Sequence, residues 1–123
     1  MLKFLPIMAM IGLSACTTGK ESHQVLLRQM TTDLMETYTL VAQTTDPFLK
    51  GEVPGVKISQ KNKDIIKKLN VQVYNEIESL VQSVNENRAL KDAAVQAAEV
   101  DLKSFQACWL SIKNSDEPSG DCN

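Results

Sequence analysis

Apolar residues recur every three or four positions along three stretches of this chain, which is the spacing of one face of an α-helix. The first stripe contains Leu27, Met30, Leu34, Tyr38 and Val41. The second contains Ile66, Leu69, Val73, Ile77, Leu80 and Val84. The third contains Leu90, Ala94, Ala98, Leu102, Phe105, Trp109 and Ile112. The pattern predicts an all-α fold in which three amphipathic helices turn their stripes inward.

Two residues mark where the first helix is expected to end and where the second is expected to begin. Pro47 lacks an amide hydrogen and disfavours the α conformation in the residue before it, so the first helix is expected at about residues 25–44. Ser59 is a suitable N-cap because its hydroxyl can accept a hydrogen bond from the first turn. It predicts a second helix at about residues 59–85.

Four polar residues, from Asn85 to Arg88, interrupt the apolar spacing between the second and third stripes. A tight turn there predicts a third helix at about residues 88–113, which completes a small three-helix bundle. The alternative is one continuous helix from residue 59 to residue 112.

Length and charge narrow the possible classes of function. The chain has 123 residues, which is the size of one small domain. Its 13 basic and 15 acidic side chains give a net charge of −2 at pH 7. Because nucleic-acid-binding domains usually carry a basic excess, we expect no nucleic-acid partner.

The N-terminus has the organisation of an export signal. Lys3 makes the start positive, and an apolar run of ten residues, 4–13, follows it. A run of this length is too short for a helix to cross a hydrocarbon core about 30 Å thick, but it suits the apolar region of a signal peptide. The run ends in the sequence Leu-Ser-Ala-Cys at residues 13–16.

This sequence resembles the lipobox of bacterial lipoproteins, in which an aliphatic residue and two small residues precede a cysteine. The resemblance covers residues 1–16 and implies that residues 1–15 are a signal peptide and that Cys16 carries the lipid, an anchor that is stable with two or more acyl chains. It also implies a place in the bacterial cell envelope. Thr17 after the cysteine favours the outer membrane, facing the periplasm. An ordinary secretory signal with an unrelated cysteine is the alternative.

The polar segment after the lipobox predicts a short tether. Residues 16–24 would join the lipid to a helical domain at residues 25–123. His23 is the only histidine, and it has no partner nearby in the sequence. We therefore expect it to be a solvated tether residue and not a ligand or a base.

The two remaining cysteines are Cys108 and Cys122. The envelope outside the cytoplasmic membrane is oxidising, so two thiols there are expected to pair. A disulfide between them would staple the polar tail to the last helix and stabilise the fold by about 3 kcal/mol. A metal site or a reactive thiol is the alternative. For a metal, the chain has no C-x-x-C pair and no calcium-loop spacing in its acidic tail. We expect no metal and no cofactor.

No catalytic constellation is visible in the sequence. A serine or cysteine nucleophile needs a base beside it, and the single histidine lies in the predicted tether. The carboxylates of Glu76 and Glu78 are two positions apart, so they do not share a helix face. The chain is therefore expected not to be an enzyme.

The connection between the first two helices is long and apolar for a loop. It has 14 residues, 45–58, whereas connections in helix bundles usually have about 2–8. Phe48, Leu49 and Val53 belong to it. Two interpretations remain open: these side chains cap the end of the bundle, or they form a surface that binds a partner.

A run of lysines follows this apolar loop. Its members are Lys57, Lys61, Lys63, Lys67 and Lys68. Cations near a helix N-terminus oppose the helix macrodipole, so the run works against the stability of the second helix. It is either a solvated helix face or a basic patch that binds an acidic partner.

These features together predict a membrane-anchored envelope lipoprotein that acts as a protein-binding accessory or assembly module. Its expected partners are the membrane, through the lipid on Cys16, and another envelope protein. The candidate partner-binding residues are Phe48, Leu49, Val53, Lys57, Lys61, Lys67 and Lys68. The alternative is a protective lipoprotein, meaning an inhibitor, immunity or exclusion factor that binds an incoming protein or enzyme.

Overall fold

The structure, a computed structural model, describes the backbone of residues 4–122 and the side chains of residues 22–122. It contains three α-helices, α1 (Phe4–Leu49), α2 (Gln60–Asn85) and α3 (Asp92–Ser115), and a short 3₁₀-helix at Gly120–Cys122. No strand occurs in this described part of the chain. The predicted all-α three-helix bundle is confirmed, and α2 and α3 are separate helices.

The three apolar stripes meet in one core that all three helices share. The exception is Ala94 of the third stripe, which is exposed, whereas its neighbour Val95 is fully buried. Gln24 contacts Leu90 at one end of the bundle, and Phe48 contacts Trp109 at the other. Helices α1 and α3 therefore run in the same direction, with α2 antiparallel to both. The largest fully buried side chains are Phe105, Ile66, Ile77, Ile112, Val73, Val95, Thr31, Thr45 and Cys108.

The predicted end of the first helix at residue 44 is wrong, because α1 continues through Pro47 to Leu49. Phe48 and Leu49 pack against the core, which favours this extra turn. Gly51, with φ +71°, then ends the helix. The amide of Glu52 donates to the carbonyl of Pro47 at 2.9 Å, and the amide of Gly51 donates to that of Phe48 at 3.2 Å. Glycine adopts this positive φ without strain, so the stop lies at Gly51.

The start of the first helix also differs from the prediction. The predicted tether, residues 16–24, is continuous with α1. The side-chain amide of Gln24 donates to the carbonyl of Leu90 at 3.0 Å and accepts from its amide at 2.8 Å. His23, expected to be solvated without a partner, is exposed but lies 2.5 Å from the carboxylate of Asp92. These contacts fasten the beginning of the bundle to the turn between α2 and α3.

That turn is longer than predicted, since α3 begins at Asp92 and not near residue 88. Asn87, at φ 55°, ends α2 in the left-handed region, and the amide of Arg88 donates to the carbonyl of Ser83 at 2.8 Å. Leu90 then buries its side chain while its backbone is held by α1. The buried leucine and its backbone bonds keep this segment out of helical geometry.

The predicted disulfide between Cys108 and Cys122 is present, with the two Cα atoms 4.9 Å apart. Cys108 is fully buried in α3, and Cys122 lies in the 3₁₀-helix against the core. The hydroxyl of Ser111 also donates to the carbonyl of Glu117 at 2.6 Å. The polar tail is therefore held along the last turns of α3, as expected.

Candidate partner-binding surface

The loop between α1 and α2 forms an open depression at the end of the bundle that is remote from residue 22. Its volume is about 690 Å³. Backbone and side chains of residues 51–58 make most of its wall, and Phe48 and Lys63 close it. Val53, Pro54 and Val56 give the depression an apolar lining, and Lys57 and Lys63 stand beside them.

The structure divides the predicted apolar residues of the loop into two groups. Phe48 meets Trp109 edge to face, with ring centroids 5.1 Å apart, and the ammonium of Lys113 lies 5.5 Å from the Phe48 ring. Leu49 also packs against the core. For these two residues the bundle-capping interpretation is the one that the structure supports. Val53 lines the open depression and is not part of the core.

Lys57 lies in the wall of this depression, and Lys61, Lys67 and Lys68 lie on the first three turns of α2. Lys57, Lys61, Lys67 and Lys68 are exposed. Among the residues that the structure describes, none of these four lysines forms an ion pair. We call Val53 and these four lysines the loop–lysine surface. It joins a small apolar element to four unpaired positive charges.

A polar network beneath this surface was not visible in the sequence. Asp116, in the left-handed region at the end of α3, accepts a hydrogen bond from the amide of Ser59 at 3.2 Å. The side chain of Asn62, only 4% exposed, donates to Asp116 as well. A carboxylate at a helix N-terminus complements the macrodipole, so Asp116 offsets part of the cost of the lysines. The one available signal was a polar residue, Asn62, four positions before Ile66 in the apolar stripe.

A pair of carboxyl groups, Glu76 and Asp101, lies between α2 and α3. Burial, then the hydrogen bond and the charge of Asp101, raise the pKa of Glu76 from 4.5 to about 7. Its Oε2 atom is shielded from solvent. Proximity along the chain pairs Glu76 only with Glu78. It does not reveal Asp101, because that residue belongs to another helix.

Cys16, the predicted lipid site, lies outside the residues whose side chains the structure describes. Within the described residues, no three histidine, cysteine or acidic side chains come together as a metal site. In the same part of the chain, no helix is both long and apolar enough to span a membrane.

Comparison of the chain with known protein families, with curated proteins and with solved structures gave no match. The function must therefore be argued from the residues alone.

Proposed function

We propose that this protein is a lipid-anchored envelope protein that binds an acidic protein partner through the loop–lysine surface. The lipid attaches at Cys16, and the protein acts as an accessory or assembly module and not as an enzyme. One observation carries the binding proposal: four exposed lysines, none of which forms an ion pair among the described residues, extend from the wall of an open depression, lined by Val53 and Lys57, along the first turns of α2.

This combination is the kind of surface that acidic partners recognise. Clustered charge of one sign speeds encounter with an oppositely charged partner and selects against partners of the same sign. The apolar lining beside it supplies contact area that charge alone lacks. Lys61, in the first turn of α2, opposes the helix macrodipole, which favours a binding role over a neutral solvated face.

The length of α1 supports a protein as the partner and not the membrane that holds the anchor. From Cys16 to Leu49 the helix rises about 50 Å at 1.5 Å per residue. Charges are screened beyond a Debye length of about 8 Å at physiological salt. If α1 stands away from the membrane, the loop–lysine surface is far beyond the reach of its head groups.

The anchor is tested by metabolic labelling with palmitate and by membrane fractionation of the full chain. Cys16→Ser is expected to abolish the label and to release the protein from the membrane fraction. Cys122→Ser is the matched control, because it removes another cysteine and leaves the lipobox intact. Equal labelling of Cys16→Ser and the native chain would refute the lipid anchor.

Partner binding is tested by crosslinking in cells, followed by quantitative identification of the captured proteins. Lys61→Ser/Lys68→Ser is expected to lose an acidic envelope protein that the native chain captures. The control Arg88→Ser/Lys91→Ser removes the same charge from the opposite end of the bundle and should keep that protein. The same loss from both variants would argue against this surface. Capture of an incoming foreign protein would favour the protective alternative.

A further inference from the structure

An open groove lies between the last turns of α1 and the first half of α2. Its volume is about 410 Å³. Ala42 and Gln43 line it on α1, together with Leu49, the last residue of that helix, and Asn70 lines it on α2. Both walls are helices, so the groove offers side chains to a ligand and no free backbone hydrogen-bonding groups.

The side chain of Asn70 presents hydrogen-bond donors to this groove. The hydroxyl of Tyr38, across the seam on α1, donates to Oδ1 of Asn70 at 2.5 Å. The amide nitrogen is therefore the end of the group that is left for a ligand, and no residue in the described part of the chain accepts from it. An amide nitrogen carries two donors, so this wall favours an acceptor such as a carboxylate.

Two lysines stand on the same face of α2 as Asn70. Lys67 lies three residues before it and Lys63 lies seven residues before it, and residues at these spacings share a helix face. Neither lysine forms an ion pair with any residue that the structure describes. Residues 57–75 contain five lysines and one acidic residue, Asp64. The α2 wall of the groove is therefore positively charged.

The α1 wall has no net charge. Thr39, Ala42 and Gln43 are uncharged, and the carboxylate of Asp46, which also lines the groove, lies 2.8 Å from the ammonium of Lys50. A negatively charged ligand thus meets an attractive wall on α2 and a neutral wall on α1. This charge distribution is complementary to an acidic ligand and unfavourable to a basic one.

Two exposed apolar side chains adjoin the lysines. Tyr74 is 42% exposed, and its ring centroid lies 5.7 Å from that of Tyr38, which holds the ring against α1. Val71 is 59% exposed and lies four residues after Lys67 and three before Tyr74, so it neighbours both on the helix surface. Aromatic and apolar contact area of this kind is what protein interfaces add to charge.

We propose that the groove receives an acidic amphipathic helix of the partner protein. The proposal rests on the proposed function and specifies which element of the acidic partner binds and where. The wall from Lys63 to Tyr74 rises about 16 Å, which is about three helical turns. Carboxylates of the bound helix meet the two lysines and Asn70, and its apolar face lies against Tyr74 and Leu49.

The walls favour a helix over an extended segment. A helix satisfies its own backbone hydrogen bonds, whereas an extended segment in this groove would lose water from its backbone without finding a partner. The side chains of the α2 wall are one turn apart, and a helix that lies along the seam presents its own side chains at the same spacing. The occupant then packs on α1 and α2 as another helix of the bundle would.

The test is photo-crosslinking in cells from position 43 of the full chain. A benzophenone amino acid replaces Gln43, which is exposed in the α1 wall, and mass spectrometry maps the captured residues. These are expected to belong to a segment of net negative charge with apolar residues every three or four positions. The same substitution at Gln29 is the matched control, because this exposed glutamine lies about 21 Å earlier along the same helix. It should not capture that segment.

Two further changes, combined with the crosslinker at position 43, test the charges. Asn70→Asp keeps an acceptor for Tyr38 but replaces the free donors by a negative charge, so it should reduce capture at least about tenfold. Asn75→Asp is its matched control at an exposed position on another face of α2, and it should capture normally. Lys67→Glu should reduce capture as strongly as Asn70→Asp, whereas Lys67→Arg, which keeps the charge, should retain it. Circular dichroism should show unchanged helicity for every variant.

The outcomes separate this proposal from the proposed function. The absence of a crosslink from position 43 would overturn the groove as the site. A crosslink to lipid, to a second copy of the chain, or to a segment without acidic residues at helical spacing would overturn its occupant. If Lys61→Ser/Lys68→Ser loses an acidic protein that Asn70→Asp still captures, the proposed function stands and the groove is overturned. If the native chain captures no acidic protein, both fail.

Discussion

The side-chain amide of Asn62 donates hydrogen bonds to the backbone carbonyl and to the carboxylate of Asp116, each at 2.8 Å. The two residues are 54 positions apart and belong to the start of α2 and the end of α3. Asp116 also accepts a hydrogen bond from the amide of Ser59, which is the N-cap of α2. This contact fixes the end of the bundle from which the loop–lysine surface projects.

Removal of the Asn62 side chain is therefore expected to destabilise the fold. Asn62→Ala removes two hydrogen bonds that contribute about 0.5–1.5 kcal/mol each, so a loss of about 1–3 kcal/mol in the free energy of unfolding follows. Urea unfolding, followed by circular dichroism, measures it. Asn114→Ala, at an exposed position near the end of α3, is the control and should change the free energy by less than about 0.5 kcal/mol. Equal effects would contradict the role assigned to the contact.

The disulfide gives a second prediction. Cys122→Ser frees the tail and is expected to lower the free energy of unfolding by about 3 kcal/mol in the chain-entropy model. The same urea titration measures it, and Cys16→Ser is the control because it leaves the Cys108–Cys122 bridge intact. Thiol counting on the denatured, unreduced Cys16→Ser protein should find no free thiol. Two free thiols would contradict the bridge.

Spacing alone predicted most of the core, because residues such as Ile66, Val73 and Ile77 lie on one face of a helix whatever the tertiary structure is. It was wrong at the start of α3, where Val95 is buried in place of Ala94. The helix ends were harder to predict. The turn beyond Pro47 exists because Phe48 finds Trp109, a residue 61 positions away along the chain. Local propensity contains no information about such a partner.

In the candidate site, too, some features could be predicted from the sequence and others depend on contacts between distant residues. The exposed lysines and Val53 could be identified from composition and position. The hydrogen bonds between Asn62 and Asp116, which hold the start of α2 against the end of α3, join residues from different helices. A single sequence does not reveal which polar residues meet in this way. The same reason hides the carboxyl pair of Glu76 with Asp101.

Two variants in the loop separate core packing from partner binding. Phe48→Ala removes the ring that meets Trp109 and is expected to cost about 2–3 kcal/mol of folding free energy. Val53→Ser changes the open depression and should stay within about 0.5 kcal/mol of the native chain. Urea unfolding measures both, and crosslinking in cells then reports binding. Reduced capture by Val53→Ser at native stability is the expected result, and undiminished capture would remove Val53 from the surface.

Glu76 predicts how stability depends on pH. Its folded-state pKa of about 7 lies above the ordinary 4.5, because burial and the neighbouring Asp101 favour the protonated form. Between these two values the folded chain holds a proton that the unfolded chain releases, so the contribution to stability is complete below pH 4.5 and is lost as the pH rises towards 7.

The effect is smaller than the full pKa difference implies, since the Glu76 residue as a whole is only half-buried. Urea midpoints at about pH 5 and about pH 8 should therefore differ more for the native chain than for Glu76→Gln. The amide keeps the shape of the protonated acid but cannot ionise, so Glu76→Gln should exceed the native stability at the higher pH. Glu78→Gln makes the same change of charge two positions along α2 and should retain the native pH dependence. A native pH dependence in Glu76→Gln would show that another group is responsible.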